Sequence, residues 1–510
     1  MSVQILLYGK LLGIEEFLLA CPRGCEDHNA TLLGRSHWMM LLTEALPRAL
    51  LAEFGLSRVL LGSSGGGQFL IILPGESRVA ADDFLSRAAS GIDSMSGGHL
   101  KLVWAATENL GDWSVVRRRL GEELQRSMAS SISPDTFAPF AAPAGRLPDD
   151  AYFRDLAGRL WQADAAGWRP EEPARIEIGT GKYTWILDER GDEDSIPLAR
   201  HAAPSEDGSR PASVEELAAR AEGHKTWGVL RGDVDSMRVR IRRVHSIEDH
   251  VRISVFYKQF FAGELGVLCS QPEFWRKVSV LYSGGDDFAV YGSWDALIPF
   301  AREVQRVFHR FTEEIMKDFP GAEGKTITMA MALAPEQSAS LASVYSDAGA
   351  RLEEAKNTDK DCMSLLGRVV EWRHLGDAAD LKDTLVRMVS EAGAAPYFLG
   401  ELEALYRKGA SVWAAHGSEQ RMQRPWRFQR RLNRIVTGAR EREVQKLRAH
   451  LASEMMGRGA AQVKLRPAGL VALEWARLST ETRTAGPARG GGPKGPASSG
   501  SGMQRAPQEV

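Results

Sequence analysis

Two adjacent carboxylates, Asp286 and Asp287, directly follow a Gly-Gly pair in the segment Leu281–Tyr291. Apolar residues lead into this group and out of it, which is the pattern of a β-hairpin. We expect Gly284 and Gly285 to form the turn because a tight hairpin turn needs positive φ, which leaves both aspartates at the tip facing solvent. Adjacent carboxylates repel each other unless a cation lies between them, and hard divalent cations favour such ligands. Taken alone, the same residues also suit an ordinary turn.

A second acidic cluster lies upstream, in the segment Thr226–Met237, which predicts a strand ending near Asp233 and Asp235. If this strand pairs beside the hairpin, Asp233 comes alongside Asp286 and Asp287. Three carboxylates on neighbouring strand ends can hold two Mg²⁺ ions about 4 Å apart, the arrangement for in-line phosphoryl transfer. Backbone N–H groups after Asp235 would then face a triphosphate. Together the two motifs favour a metal-dependent phosphoryl-transfer site over an ordinary turn.

The composition is that of an ordinary soluble protein of several domains. At 510 residues the chain is too long for one hydrophobic core, and 44% of its residues are hydrophobic and 25% charged. A net charge of −2 excludes a globally basic nucleic-acid binder but not a local basic face. The four cysteines are scattered, which favours a reducing, cytoplasmic location. We expect neither a signal peptide nor a membrane span, because apolar runs are short and the N-terminal one contains charges.

The order of predicted elements repeats within the chain. Residues 3–130 predict β-α-β-β-α-β with an added helix, and residues 226–356 predict the same ferredoxin-like order. A glycine-rich turn occupies the equivalent place in both copies, at Gly65–Gly67 in the first. The first copy lacks the carboxylates and has Tyr8 near the end of its opening strand, where the second copy has Asp233. The sequence therefore predicts one catalytic copy and one degenerate partner.

Apolar periodicity gives bounds for these elements. The first copy has predicted strands at 3–8, 58–61, 68–73 and 100–106, and helices at 34–54, 80–89 and 113–130. The second copy has predicted strands at 226–233, 276–282, 287–292 and 325–333, and helices at 245–261, 294–318 and 341–356.

The fold class predicted is α+β multidomain: two ferredoxin-like βαββαβ domains, a small middle domain and an α-helical C-terminal domain. We place these at 1–131 (first, degenerate copy), 132–222 (linker and middle domain), 223–372 (second copy), 373–484 (helical) and 485–510 (Gly/Pro/Ser-rich disordered tail). Residues 132–150 read as a Pro/Ala-rich linker. In the middle domain, 151–165 predicts a helix, 174–187 a strand, and 188–213 an acidic, exposed loop. Beyond about residue 376 the pattern is helical throughout.

A basic stretch at 421–448 stands out in the C-terminal domain. Its cations are Arg421, Arg424, Arg427, Arg430, Arg431, Arg434, Arg440, Arg442, Lys446 and Arg448, interleaved with Trp426 and Phe428. Basic residues with aromatic neighbours suit a nucleic-acid backbone or RNA bases. The same run also suits a solvated helix face, and the sequence leaves both interpretations open.

These motifs together resemble one protein family. The Gly-Gly-Asp-Asp hairpin, the Gly-Asp-Val-Asp strand before it and the degenerate first copy are similar to the large signature subunit of type III CRISPR effector complexes, and most similar to the Csm-type variant of subtype III-A. The supporting segments are Leu33-Gly34-Arg35-Ser36, Ser64–Phe69, Leu352–Lys356 and Leu470–Arg483. The resemblance covers nearly the whole chain to about Arg483, and its ferredoxin-like copies correspond to the palm domains of that family.

The resemblance implies a polymerase/cyclase palm that joins ATP into cyclic oligoadenylates when CRISPR RNA in the complex pairs with target RNA. The implied partners are the other subunits of the effector complex, both RNAs and ATP, with no membrane. Asp233, Asp286 and Asp287 would be catalytic and would hold two Mg²⁺ ions, or Mn²⁺, aided by the main chain at Val234.

The resemblance also implies that the two palm domains pack face to face with the nucleotide pocket between them. The residues expected to bind nucleotide are Ser283, Gly284, Gly285, Val234, Asp235, Ser236, Lys356 and Lys360. Lys356 matches a phosphate-binding lysine of related cyclases, although a solvated lysine at a helix end is the alternative interpretation.

The sequence departs from the family in three ways. Many members begin with a histidine–aspartate (HD) nuclease domain, but the first copy begins at about Val3 and no histidine is followed directly by aspartate, so we expect no HD-type single-stranded DNase activity. Many members have a four-cysteine zinc site, but residues 146–222 contain no cysteine, and Cys21 and Cys25 supply only two ligands, so we expect no zinc. Ser236 stands where Asn is frequent, and Gln68 where a basic residue is frequent, which leaves the nucleotide preference open.

Two alternative functions remain at this point. One is a catalytically silent scaffold that binds guide and target RNA, against which the intact carboxylates argue. The other is a stand-alone palm-type cyclase that makes cyclic dinucleotides. The second palm-like copy and the long C-terminal domain argue against that enzyme, because they suit a large assembly.

Overall fold

The structure is a computed structural model that describes residues 3–20, 27–131, 147–188, 195–390, 397–409, 420–421, 430, 446, 456–458, 463–465 and 468–481. Within these residues no helix combines the length and the apolar character that crossing a bilayer requires.

The first palm domain has the predicted ferredoxin-like topology. Its elements are β1 (Gln4–Leu12), α1 (Ile14–Leu19), α2 (His28–Glu53), β2 (Leu61–Gly65), β3 (Gln68–Pro74), α3 (Arg78–Met95), β4 (Lys101–Glu108) and α4 (Trp113–Ser131). The strands lie in the order β2-β3-β1-β4, all antiparallel. The predicted start of α2 at residue 34 was wrong, because the Asp27 side chain accepts a hydrogen bond from the Ala30 N–H and caps the helix earlier. The predicted strand at 58–61 was also wrong, since Arg58–Leu60 forms a 3₁₀ turn.

The middle segment packs against α2 of the first palm domain. It comprises α5 (Asp150–Leu160), β5 (Ala165–Trp168), β6 (Ile176–Ile178), β7 (Tyr183–Leu187), β8 (Ser195–Ile196) and α6 (Val214–Arg220), with its strands in the order β6-β5-β7-β8. Phe153 on α5 lies 5.2 Å from Trp38 and 5.5 Å from Phe17, measured between ring centroids. The predicted exposed loop at 188–213 was wrong for its described part, because Ile196 and Ala203 are fully buried. These apolar residues contribute to the core shared with α2.

The Leu33–Ser36 segment of α2 holds three parts of the chain together. A Cβ on Gly34 would lie 1.7 Å from the Phe153 carbonyl oxygen, so only glycine allows α5 to approach this closely. The Arg35 guanidinium pairs with the Asp150 carboxylate at 2.6 Å. The Ser36 hydroxyl donates to the Leu281 carbonyl oxygen at 2.8 Å and so connects α2 to the strand before the Gly-Gly-Asp-Asp turn.

The second palm domain repeats the same topology and extends it. Its elements are β9 (Trp227–Val234), α7 (Met237–Arg242), α8 (Ile247–Lys258), a π-helical segment (Gln259–Glu264), α9 (Leu265–Cys269), β10 (Val278–Ser283), β11 (Asp287–Ser293), α10 (Trp294–Ile315), β12 (Ile327–Leu333), α11 (Leu341–Thr358), β13 (Cys362–Leu365) and β14 (Arg368–Glu371). The strand order is β10-β11-β9-β12-β13-β14, so the first four strands reproduce the first palm. The predicted internal repeat is therefore confirmed.

The C-terminal region is not wholly helical. It contains α12 (Trp372–Ser390), α13 (Tyr397–Gly409), β15 (Gln420–Arg421), β16 (Met456–Arg458), β17 (Val463–Leu465) and α14 (Ala468–Thr480). β17 pairs with both β15 and β16, because main-chain hydrogen bonding between segments distant in sequence overrides the local helical pattern. The prediction of an entirely α-helical domain was wrong in this respect.

Several sequence predictions concern residues outside the described part of the chain. In the basic stretch, the structure describes only Arg421 in β15 and the exposed, helical Arg430 and Lys446. Residues 132–146 of the linker, Cys21, Cys25 and the 485–510 tail also lie outside the described residues. The remaining cysteines, Cys269 and Cys362, are buried.

A buried ionic cluster connects the two palm domains. The Glu44 carboxylate on α2 accepts from the Lys258 ammonium at 2.5 Å and from the Arg48 guanidinium at 2.6 Å. The Ser64 hydroxyl on β2 donates to the same carboxylate at 2.9 Å. Glu44 is 4% exposed, and these cations hold its pKa at about 2 against the cost of burial. The cluster fixes α2 and β2 of the first palm against α8 of the second.

Replacing Glu44 should destabilise the protein far more than replacing a partly exposed glutamate on the same helix. Glu44→Gln leaves two buried cations without their shared counter-charge, which costs about 3 kcal/mol, in the range for breaking a buried pair. Glu53→Gln is the matched control because Glu53 pairs with the half-exposed Lys182, and a surface pair contributes only about 0–1 kcal/mol. Thermal unfolding of both variants measures the difference. Equal midpoints for the two would contradict the prediction.

Candidate functional site

The three predicted carboxylates meet at one end of the second palm sheet. Asp233 on β9 lies directly opposite Asp287 on β11 in the antiparallel register, and Asp286 precedes Asp287 at the turn. The Val234 N–H donates to the Asp286 carbonyl oxygen at 2.9 Å and holds the turn beside β9. Asp233 thus comes alongside the hairpin as the sequence predicted.

The glycines before the aspartates are present for a different reason from the one predicted. Neither Gly284 nor Gly285 has positive φ, so the turn-conformation argument was wrong. A Cβ on Gly284 would lie 2.4 Å from Asp287 Oδ1 and 3.4 Å from the Cα of Gly66 in the first palm. A Cβ on Gly285 would contact nothing within 4 Å. Gly284 therefore allows a close approach of the carboxylate and of the opposing domain.

The carboxylates do not face open solvent, contrary to the sequence expectation. All three residues are half-buried between the two palms, and the Tyr282 hydroxyl donates to Asp287 Oδ2 at 2.7 Å. Burial raises the pKa of Asp233 to about 6 although Lys356 opposes the rise. Burial, followed by repulsion from the neighbouring carboxylates, also raises the pKa of Asp286, and burial raises that of Asp287. The site therefore concentrates negative charge where a cation would stabilise it.

Two lysines approach the carboxylate end of the sheet. Lys356, in the last turn of α11, places its ammonium 2.5 Å from Asp233 Oδ1, and its side chain is only 19% exposed. The alternative of a solvated helix-end lysine is therefore excluded for Lys356. Lys360 donates to the Ser236 hydroxyl at 2.8 Å, and Ser236 has a left-handed backbone conformation at the start of α7. Both lysines lie where cationic groups can contact a phosphate chain.

The Asp235 carboxylate is buried and is hydrogen-bonded within the fold. The residue is 3% exposed, and its carboxylate accepts from the Thr326 hydroxyl at 2.7 Å, the Thr328 hydroxyl at 2.8 Å and the Asp361 N–H at 3.0 Å. These bonds fasten the end of β9 to β12 and to the loop before β13. The Asp235 side chain is thus committed to the fold, and nucleotide binding at this position stays a prediction.

Two cavities flank the carboxylates. One, of about 150 Å³, lies between the palms and includes Ser283 and Gly284. The Ser283 hydroxyl donates its proton to the Phe261 carbonyl oxygen of the π-helical segment, which leaves it only as an acceptor toward a ligand. The other, of about 300 Å³, lies on the second palm and includes both Asp233 and Asp287. Together they give space for a ligand beside the acidic groups.

Sequence analysis missed several residues of this site. Arg231 lies in both cavities, and its guanidinium stacks on Tyr345 at 4.2 Å from the ring centroid. Tyr8, in the copy predicted to be degenerate, has its pKa raised to about 12 by burial and by the charge of Asp286, which places its ring near the carboxylates. Arg231 sits two residues before Asp233, so strand periodicity alone could have placed both side chains on one face.

The donor set fits a hard divalent cation in its chemistry but is not assembled as a complete cage. Among the described residues, no three side chains of His, Cys, Asp or Glu stand in positions to hold a metal ion together. The ammonium of Lys356 occupies one side of Asp233, and the Tyr282 hydroxyl occupies one side of Asp287. Their raised pKa values show that positive charge would stabilise the carboxylates. A cation bound at Asp233 would compete with Lys356 for this carboxylate.

Without metal, the site should make the protein less stable as pH rises. The pKa of Asp233 in the folded state, about 6, lies above the unfolded value of about 3.9, so the folded state binds more protons. The resulting stabilisation is fully present below about pH 3.9 and is lost as pH rises through about 6. Asp286→Asn removes part of this charge and should raise stability at pH 8 by roughly 1–3 kcal/mol, with little effect at pH 4.

Thermal unfolding in a metal chelator at both pH values checks this expectation. Asp318→Asn, on the exposed surface, serves as the control for general charge effects. A variant less stable than the wild type at pH 8 would contradict the electrostatic account of the site.

A protein-family model matches the part of the chain that forms the second palm domain. Residues 226–364 match the model described as Cas10/Cmr2, second palm domain. The match begins one residue before β9 and ends within β13, so it contains all three carboxylates. The resemblance inferred from the motifs is confirmed for this domain.

Curated relatives carry the name "CRISPR system single-strand-specific deoxyribonuclease Cas10/Csm1 (subtype III-A)". The one from Thermococcus onnurineus is 30% identical over 115 residues, which are 20% of this chain and 15% of that protein. The one from Mycobacterium tuberculosis is 29% identical over an alignment of 366 residues, and the match covers 55% of this chain and 45% of that protein. The matched part of the chain therefore spans less than half the length of either relative.

Solved structures share the fold over most of the chain. The apo Csm1–Csm4 cassette superposes with a TM-score of 0.68 at 17% sequence identity, covering 94% of this chain and 70% of the other. The same cassette in complex with one ATP gives 0.67, and in complex with cA4 it gives 0.66, both at 17% identity and the same coverage. At this identity the likeness establishes the α+β multidomain fold, which confirms the predicted fold class.

Proposed function

We propose that this protein is the Cas10/Csm1-type subunit of a type III-A CRISPR effector complex and makes cyclic oligoadenylate from ATP when target RNA binds. The reaction is 3′–5′ nucleotidyl transfer dependent on Mg²⁺. The observation that supports it most is the pairing of Asp233 with Asp287 across β9 and β11, beside Asp286 and the lysine of α11. The ATP and cA4 complexes of the structurally similar cassette agree with this choice of substrate and product.

In this proposal Asp233, Asp286 and Asp287 hold two Mg²⁺ ions. When bound, these ions would activate a ribose 3′-hydroxyl and neutralise the triphosphate. The Tyr282 hydroxyl, which donates to Asp287, orients that carboxylate toward the ligand. Its pKa lies well above the usual range because of burial, so the hydroxyl keeps its proton.

Lys356 has two alternating roles in the proposal. Without ligand it neutralises Asp233, and with ATP it moves to a phosphate oxygen and leaves the carboxylate to the cation. Lys360, next to Ser236, is placed to contact the same phosphate chain. Both lysines bind and orient the triphosphate, and neither has to transfer a proton.

The first palm has a supporting role in this proposal. Gly66 packs against the Gly-Gly turn, since a Cβ on Gly66 would lie 2.9 Å from the Gly285 nitrogen. Met40 on α2 accepts from the Ser283 N–H through its sulfur at 3.1 Å. The first palm thus covers one side of the proposed nucleotide pocket.

The proposed partners are the other subunits of the complex, the CRISPR RNA and the target RNA. The Csm1–Csm4 cassettes that share this fold contain such a neighbouring subunit. The deoxyribonuclease activity named for the curated relatives is not part of the proposal, because no histidine in the sequence is followed directly by aspartate.

Removing both hairpin carboxylates should abolish synthesis. The assembled complex with guide RNA, target RNA, Mg²⁺ and labelled ATP should yield target-dependent oligoadenylate, and Asp286→Ala/Asp287→Ala should yield none because the ions lose their ligands. Chromatography of the labelled products measures both. A correctly assembled, target-bound wild-type complex that makes no product from ATP or other nucleotides would favour the silent scaffold. Target-independent cyclic dinucleotide from the isolated chain would favour the stand-alone cyclase.

Replacing Gly284 or Gly285 by alanine should show that the two glycines of the turn have different roles. Gly284→Ala pushes against Asp287 Oδ1 and should lower the synthesis rate by about 100-fold, the order expected from a 1 Å misplacement of a reacting group. Gly285→Ala meets no atom within 4 Å and should retain nearly full activity. Initial rates of the two variants test the geometry, and a Gly285→Ala loss as large as that of Gly284→Ala would refute it.

A further inference from the structure

A cavity of about 1030 Å³ lies apart from the carboxylates, where the first palm, the middle segment and the second palm meet. Its walls come from the end of α2, from β2, from the segment around β8, and from α8 and α10. None of Asp233, Asp286 and Asp287 lines it. Ligand cavities for small molecules range over about 300–1,000 Å³, so this one has room for a nucleotide.

Positive charge dominates the lining. Five cations contribute to the walls, namely Arg48, Arg58, Arg200, Lys258 and Arg310. Three carboxylates accompany them, namely Asp188, Glu264 and Glu314, and the last two are exposed at the rim. The described part of the lining thus carries more positive than negative charge, which would attract an anion into the cavity.

Arg48 supplies a second, independent observation. The residue is 5% exposed, and its NH1 group donates to the Glu44 carboxylate and to the Glu44 carbonyl oxygen at 2.7 Å. Its Nε–H is buried and has no acceptor among the described residues. A buried donor without a partner is unfavourable, and a guanidinium matches the planar geometry of phosphate oxygens. The protein therefore maintains a buried donor at the wall of this cavity.

Lys258 adds a second cation beside Arg48 in the cavity wall. Its ammonium lines the cavity while it pairs with Glu44, which it shares with Arg48. One glutamate thus balances two buried cations, and the corner keeps a net positive charge. Burial lowers the pKa of Lys258 to about 8, and an added anion would favour its charged form.

Apolar side chains on the same helices also line the cavity. Val255 on α8 and Val267 on α9 are exposed there, and Val307, Phe311 and Ile315 of α10 complete the surface. An aromatic ring beside aliphatic side chains suits the face of a nucleobase, whereas the Arg48–Lys258 corner suits phosphates. We infer that this cavity binds a nucleotide that carries two or more phosphate groups, at a site separate from the three carboxylates.

The test uses the full chain with Asp286→Ala/Asp287→Ala as parent, and ATP without divalent cation as the probe. Calorimetry measures affinity, and amide hydrogen exchange locates the bound probe. We expect ATP to protect residues 254–267 and pyrophosphate to compete with it. Arg310→Glu should weaken ATP about tenfold or more through loss and reversal of one charge. Arg302→Glu is the matched control, since this exposed residue lies eight positions earlier on α10 and outside the cavity.

Arg48→Met tests the buried donor and should also weaken ATP binding by about tenfold. If that variant fails to fold, Arg310→Glu decides, because residue 310 is exposed and its replacement leaves the core intact. Unchanged affinity in Arg310→Glu, protection confined to 278–293, or an equal loss in Arg302→Glu would each overturn the inference.

Discussion

The antiparallel register of β9 and β11 is the constraint on which the rest of this structure depends. It sets Asp233 opposite Asp287, with Asp286 adjacent, in a half-buried space where burial, and then repulsion between carboxylates, raises the pKa of Asp233 and Asp286. Such an arrangement is unfavourable by itself, so the surrounding fold must compensate for it. Lys356 and the Tyr282 hydroxyl do so in the protein as it stands. A divalent cation with a triphosphate would do so in the proposed reaction.

The first palm has lost the acidic residues but keeps a structural role at the site. Its glycine turn packs on the Gly-Gly turn of the second palm, and its helix α2 contacts β10 through Ser36. The buried Glu44–Lys258 pair fixes the two domains against each other at a second point. The relative position of the palms is therefore determined by specific buried polar contacts in addition to apolar packing.

The same interface presents two kinds of electrostatic environment. Around Asp233 and Asp287 it concentrates negative charge, and around Arg48 and Lys258 it concentrates positive charge. Glu44 balances part of the positive charge of Arg48 and Lys258. The proposed active site and the inferred nucleotide cavity thus follow from one feature, the burial of ionisable groups where two copies of a fold meet.

The sequence determined the repeated ferredoxin-like order and the acidic group, because both depend on short-range patterns: strand alternation, glycine-rich turns and carboxylates at strand ends. The tertiary structure determined the features that these local patterns do not specify. Gly284 proved necessary for a close approach rather than for its φ, and Asp235 turned inward to bond Thr326 and Thr328. The cavity at Arg48 joins segments more than 200 residues apart. Burial and charge pairing arise from such distant contacts, and local sequence does not encode them.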